Sequence, residues 1–226
     1  MPDLNVADVD IDISKLNTKL VSESWSVDLQ DYIIDLAWSP DASKLAAITV
    51  EGSVFLFNLQ DKSDKINLIG QHDKGANSLS WRSDGTEFAT AGHDGLVKVW
   101  DSSNGKQLCS LEAGDSWVGK VAYRPRGNVL ATAAGKHLKM WNDHREVSYE
   151  SSDHSSTIAD LEWNPNGSSV AVAAYFGVTL HVPGKQKRPR KYEWKGSSLK
   201  MAWSPDAKYI ATGEQDSTVH FWHMKS

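Results

Sequence analysis

His72, Thr90 and Asp94 place a base, a hydroxyl and a carboxylate within one stretch of the sequence, the residue types of a hydrolytic triad. None of the frames that usually organise such chemistry accompanies them. The sequence has no Gly-x-Ser-x-Gly elbow, no His-Glu-x-x-His, no Gly-Lys-Ser/Thr phosphate loop and no Gly-x-Gly-x-x-Gly. The eight histidines are dispersed. His220 and His223 are three apart, which on a strand puts them on opposite faces, wrong for chelating one metal. Asp8, Asp10 and Asp12 would share one face of a strand, but no glycine-bearing loop gathers them around a cation, and a solvated tail is the better reading. Cys109 is the only cysteine, so an internal disulfide and a cysteine-based zinc cluster are both excluded. These readings predict no enzyme activity, no metal and no cofactor.

Charge supplies the next candidate. Residues 183–200 hold seven basic side chains and one acid, a local net of +6, while the rest of the chain has 17 basic and 28 acidic residues, a net of -11. The basic side chains Lys185, Lys187, Arg188, Arg190 and Lys191 suit phosphate, an acidic partner or a nuclear-import receptor. As architecture they read as a polar hairpin started by Pro183-Gly184, whose charges protect an exposed strand from pairing. An acidic body repels nucleic acid, so that role is the alternative rather than the first reading. With 40% hydrophobic and 23% charged residues the composition is that of a soluble globular domain. No apolar run approaches the roughly 18 residues of a membrane helix, and Met1–Asp8 lacks a signal-peptide pattern. A reducing cytoplasm is the expected location, with the nucleus open if the source is eukaryotic.

Ten tryptophans among 21 aromatics demand an architectural explanation, and the spacing gives one. An aromatic followed by a turn recurs at Trp38, Trp81, Tyr123, Trp163 and Trp203, at intervals of 43, 42, 40 and 40 residues. A second hydrophobic marker follows each by 18 or 19 residues: Phe57, Trp100, Trp141, Val182 and Trp222. Alternation such as Ile34, Leu36, Trp38 predicts a strand before each turn. Turns such as Pro40-Asp41 and Pro165-Asn166-Gly167 call for a residue with positive φ. A small apolar strand follows, as in Phe88-Ala89-Thr90-Ala91, then a second turn such as His93-Asp94-Gly95 and a β-branched strand such as Leu96–Trp100. With room for an outer strand, each unit is a four-stranded blade, and the fold is an all-β propeller of antiparallel blades. The inner-strand units fall at about 30–58, 73–101, 115–142, 155–182 and 195–223, within a propeller over 19–226 preceded by a polar tail over 1–18.

Over about residues 20–226 the sequence resembles the WD-repeat β-propellers. The second unit carries the fullest match: Gln71-His72 where the family has Gly-His, then Trp81, Ala89-Thr90-Ala91, Asp94-Gly95 and Trp100-Asp101. The resemblance implies a structural tetrad in which Asp94, His72, Thr90 and Trp100 form one hydrogen-bonded chain, leaving Thr90 committed to an indole rather than free as a nucleophile. The fifth unit keeps Thr212, Asp216 and Trp222 with Trp194 at the histidine position. The third keeps Thr132 and Trp141. The fourth has His154 with Val172, Phe176 and Val182 elsewhere, and the first has none of the four.

The family's binding geometry implies a partner face built from the entries to the inner strands and from the second turns. The matching positions include Tyr32, Asn77, His93, Trp117, Tyr175 and Gln215, and Trp117 stands out because Trp and Tyr dominate interface hot spots. Packing of Trp117 over the channel mouth is the bland alternative. The function expected is a non-catalytic scaffold for protein–protein interaction, with no membrane and no small-molecule substrate; the alternative is a nucleic-acid-associated propeller using the basic hairpin. Trp100-Asp101-Ser102-Ser103 does not meet the Trp-Asp-x-Arg pattern of ubiquitin-ligase adaptors. The family usually has seven blades and five are visible here, so the expected reading is a fragment of a larger ring, with a closed five-bladed ring as the rival. Closure would pair Ser24–Asp28 with Thr218–Trp222; a fragment would leave the last strand unpaired.

Overall fold

The computed structural model describes residues 25–59, 67–115, 117–184 and 189–224. The proposed tail over 1–18 and the basic residues Lys185, Lys187 and Arg188 lie outside them. All regular structure among the described residues is β.

Blade one is an antiparallel sheet of β1 (Ile33–Trp38), β2 (Lys44–Thr49), β3 (Ser53–Asn58) and β4 (Leu68–Gln71), in that order. Blade two repeats it with β5 (Ala76–Trp81), β6 (Glu87–Gly92), β7 (Leu96–Asp101) and β8 (Gln107–Glu112). Blade three comprises β9 (Val118–Tyr123), β10 (Leu130–Ala134), β11 (His137–Trp141) and β12 (Val147–Glu150). Beyond it, β13 (Asp160–Trp163), β14 (Val170–His181), β15 (Arg190–Trp203), β16 (Tyr209–Glu214) and β17 (Val219–His223) form one continuous series.

Two long strands account for that merger. The first half of β14 pairs with β13 and the second half with β15. Between the halves, Phe176 and Gly177 have φ of 73° and 103°, the consecutive positive values of a tight reversal. β15 in turn pairs with β14 through Arg190–Glu193 and with β16 through Ser198–Trp203, serving as outer strand of blade four and inner strand of blade five. Blade five then has three strands, and β17 pairs only with β16.

The turn after each inner strand obeys one rule. The fourth residue beyond the marker aromatic has positive φ in all five units: Ala42, Gly85, Gly127, Gly167 and Ala207. The left-handed region is open to glycine and strained for alanine.

Core formation takes place between blades. Leu79, Trp81, Phe88 and Trp100 of blade two pack on Ala46, Ile48, Val54 and Leu56 of blade one, and the same arrangement joins blades two and three, three and four, and four and five. The small residues of the second strand let the sheets approach, which is why β6 is buried along its whole length. Hydrogen bonds fix each junction. The Trp81 indole donates to the Ala37 carbonyl and the Trp163 indole to the Ala122 carbonyl, each at 2.9 Å. Tyr123 replaces tryptophan in blade three and uses its hydroxyl differently, donating at 2.7 Å to the buried Glu87, which Arg145 also meets at 2.5 Å. Burial, then the adjacent Glu87 carboxylate, pushes the Tyr123 hydroxyl well above its ordinary pKa, so it stays a donor.

Among the described residues the series is open at both ends. Trp25, Val27 and Leu29 form no strand among the described residues; they pack on Phe55, Phe57, Leu45 and Ala47 of blade one. The pairing of this segment with β17 that a five-bladed ring requires is absent among the described residues. Leu36 and Trp38 at one end, and Val219 and Phe221 at the other, are left exposed. Among the described residues no ladder closes the blades into a five-bladed ring.

Candidate interaction surface

In blade two, His72 Nδ1 lies 3.1 Å from both Asp94 carboxylate oxygens, its Nε2 lies 2.8 Å from Thr90 Oγ1, and the Trp100 indole lies 2.9 Å from the same hydroxyl oxygen. The carboxylate can only accept, so Nδ1–H donates to Asp94, Thr90 O–H donates to Nε2, and the indole N–H donates to Thr90. His72, Thr90 and Trp100 are buried. Burial lowers the His72 pKa against the pull of Asp94, which keeps the imidazole neutral and the chain of donors in this direction. With its hydroxyl engaged on both sides, Thr90 is a structural group and no nucleophile.

The other blades keep parts of this chain in altered form. In blade three the Trp141 indole donates to Thr132 at 3.0 Å. In blade five Trp222 donates to Thr212, but Thr212 then donates to Glu214 at 2.6 Å, and Ser198 donates to the same carboxylate. Glu214 thus takes the acceptor role of the histidine, while Trp194 at the histidine position lies against His220. Asp216 does not join this chain; it accepts from Thr218 instead. Blade four corrects the expected second marker. Val182 is 40% exposed, whereas His181 is 2% exposed and sits beside His154, with ring centroids 5.1 Å apart. The interval from Trp163 to His181 is 18 residues, as from Tyr123 to Trp141.

The residues singled out as a partner face occupy two kinds of loop that the backbone ties together. Val50 N–H donates to the Tyr32 carbonyl, His93 N–H to the Gly75 carbonyl and Gln215 N–H to the Ser197 carbonyl, at 2.9–3.0 Å. These are equivalent bonds, each joining the second turn of a blade to the entry of its own inner strand. In blade four the Ser156 hydroxyl takes over, accepting from Tyr175 N–H at 2.8 Å. One end of every such blade is therefore a fixed rim on which side chains can vary.

On this rim Tyr32 is 83% and Trp117 65% exposed, and Gln215 is exposed. Trp117 therefore does not pack beneath other side chains. His93 lies against it with ring centroids 5.1 Å apart. Asn77 positions that histidine: its carbonyl oxygen lies 2.7 Å from His93 Nε2, while its amide donates to the Val118 carbonyl beside Trp117. Trp117 stands between two recesses. One, of about 820 Å³, is walled by Lys74, Glu112, Asp115 and Lys139; the other, of about 280 Å³, by Gly119, Ala133, Thr157 and Ile158. Tyr175 is half-exposed and lies against Phe176, ring centroids 4.1 Å apart. Phe176, which departs from the tetrad at the position of Asp94, is a further exposed aromatic on the rim, beside Tyr175. Of the basic hairpin, Arg190 and Lys191 are exposed on β15. Among the described residues no cluster of three potential metal ligands occurs.

Comparison with known proteins agrees with this architecture. The "Anaphase-promoting complex subunit 4 WD40 domain" family matches residues 36–123, and the "WD domain, G-beta repeat" family matches residues 105–142 and 192–223. The chain is a WD-repeat protein. Its relatives include "Cell division cycle 20.1, cofactor of APC complex" of Arabidopsis thaliana, 28% identical over 86% of this chain and 45% of that protein. "WD repeat-containing protein slp1" of Schizosaccharomyces pombe is 24% identical over 84% of this chain and 40% of its own length. "Telomerase protein component 1" of Rattus norvegicus is 26% identical over 93% of this chain but 8% of its own. The chain thus spans less than half the length of these relatives. WD repeats explain the repeated turn and the junction tryptophans, and they leave the rim side chains free to differ.

Proposed function

We propose that this WD-repeat chain is a non-catalytic platform that holds a protein segment against its rim, with Trp117 as the central anchor. The observation that carries the reading is the Asn77–His93–Trp117 arrangement. A large aromatic is held in the open by a fixed neighbour, with a recess on either side, so little ordering entropy is lost when a partner covers it. Tyr32, Tyr175 and Gln215 extend the contact around the rim. The relative whose name makes it a cofactor of a multi-subunit complex supports the same class of role, and the lone cysteine suits a cytoplasmic setting.

The test is quantitative capture from native-host extract with residues 1–226 and with Trp117→Ala. A partner held at the rim is retained by the wild-type chain and by Tyr209→Ala, a control away from the rim, and weakened by about 1 kcal/mol or more in Trp117→Ala. Equal retention by Trp117→Ala overturns the assignment.

Exposed Arg190 and Lys191, in a segment of local net charge +6, favour a second reading in which nucleic acid binds along blade four. Binding that falls steeply with salt, and is lost in Arg190→Ala with Lys191→Ala, would select it.

A further inference from the structure

Blade four contains two imidazole nitrogens that are buried and unpartnered. Nε2 of His181 and Nε2 of His154 have no hydrogen-bond partner among the described residues, and the two rings meet at 68°. The cause lies in the sequence. In blade two the hydroxyl of Thr90, nine residues beyond its marker, bridges His72 and Trp100; in blade four the same position is Val172, whose methyls bridge nothing. Both histidines line a cavity of about 350 Å³ together with Ser155, Thr179, Lys191 and Glu193.

The tautomer of His181 follows from its other nitrogen. Tyr149 O–H lies 2.7 Å from His181 Nδ1 and has no other acceptor among the described residues. Burial raises the Tyr149 pKa, so the phenol keeps a proton that it can donate to Nδ1. With Tyr149 as the donor, Nε2 of His181 carries hydrogen and offers the cavity a donor for an acceptor. His154 can present either tautomer to whatever enters.

Lys191 is the one cation among the described residues that line the cavity, beside Glu193 and Asp153, and the Asp153 carboxylate lies 3.5 Å from His137. An anion entering the cavity would therefore be met by Lys191 and the two imidazoles rather than by a field of one sign.

We propose that this cavity binds a carboxylate, which accepts hydrogen bonds from Nε2 of His181, from His154 and from Lys191. The carboxylate comes from an Asp or Glu side chain of a bound protein segment or from a free organic acid. The site adjoins the blade-four part of the rim, since Tyr175 and Phe176 also line it, but it contains no contact to Trp117 and does not depend on that assignment. A bound carboxylate favours imidazolium, so binding tightens as pH falls.

The test uses imidazole 1H–15N spectra of residues 1–226 titrated with sodium acetate, with the capped peptide Gly-Gly-Glu-Gly-Gly and with its Gln counterpart. Acetate and the Glu peptide should shift the His154 and His181 nitrogens saturably, and the Gln peptide should not. A Glu peptide that binds at least about tenfold tighter than acetate assigns a protein side chain; equal or weaker peptide binding assigns a free acid. Val172→Thr restores the bridging hydroxyl and should reduce affinity at least about tenfold while raising Tm. His154→Phe, which fills the cavity, should abolish the shift at His181. The proposal is overturned if neither carboxylate shifts these nitrogens, if the Gln peptide shifts them equally, or if folded Val172→Thr or His154→Phe binds as wild type does.

Discussion

The indole of Trp81 donates to the carbonyl of Ala37, 2.9 Å away across the junction of blades one and two. Trp38 holds the matching place in blade one, yet it is 50% exposed and has no hydrogen-bond acceptor among the described residues. Among the described residues, the outer face of blade one is covered by Trp25, Val27 and Leu29, which lie on Phe55 and Phe57, while Leu36 and Trp38 stay exposed. At the far end, blade five presents Val219 and Phe221 where blades one to four bury their equivalents.

Residues 1–226 on their own should therefore self-associate through these two apolar faces. Light scattering is expected to show mass rising with concentration, and Trp38→Ser or Phe221→Ser should reduce it. A strictly monomeric wild-type chain across the same range would show that the ends are covered in solution.

His72→Ala should lower stability by about 1–3 kcal/mol, because it leaves buried Thr90 and Asp94 groups without their bridge. His154→Ala should cost less, since its Nε2 has no hydrogen-bond partner to lose. Denaturant midpoints measure both. Equal midpoints for His72→Ala and wild type would mean that the four-residue chain contributes nothing.

Ala207 occupies, at φ 60°, the turn position that Gly85, Gly127 and Gly167 hold in other blades. Ala207→Gly should stabilise the protein by about 0.5–1 kcal/mol, relief of left-handed strain exceeding the added freedom of the unfolded chain. Thermal unfolding should register a higher Tm; a lower one would show that the turn is unstrained.

Acid should weaken blade four. Burial holds His181 down to about 3 and His154 to about 4, against an ordinary value of 6.5. Between those values the unfolded chain binds protons that the folded chain refuses, so stability is full above pH 6.5 and falls as pH drops through this window. The loss at about pH 5 should be about 1–2 kcal/mol per histidine. His181→Phe should flatten the pH dependence between 7 and 5, measured as Tm against pH, relative to wild type. An unchanged slope would show that these imidazoles are not what titrates.

The period of 40–43 residues and the aromatic before each first turn were legible in the sequence, and the four residues of blade two followed from the resemblance to WD-repeat propellers. The period and the aromatics are legible because a blade is built from near neighbours in the chain: a turn's left-handed residue and a strand's alternation are dictated locally. The rim positions of Trp117 and Tyr175 were implied by that resemblance rather than by the spacing. What the tertiary structure alone decided is who meets whom across blades. Spacing could not distinguish Val182 from His181, because the choice depends on a reversal at Phe176-Gly177 that is shorter than in blade two. Nor could it show that Glu214 replaces a histidine, that Asn77 fixes His93, or that Tyr149 reaches from blade three to orient His181 in blade four. Asn77 and His93 are 16 residues apart and Tyr149 and His181 32, while Thr212 and Glu214, only two apart, are joined with Ser198 through packing, so a side chain's partner there is chosen by packing, not by its own sequence context.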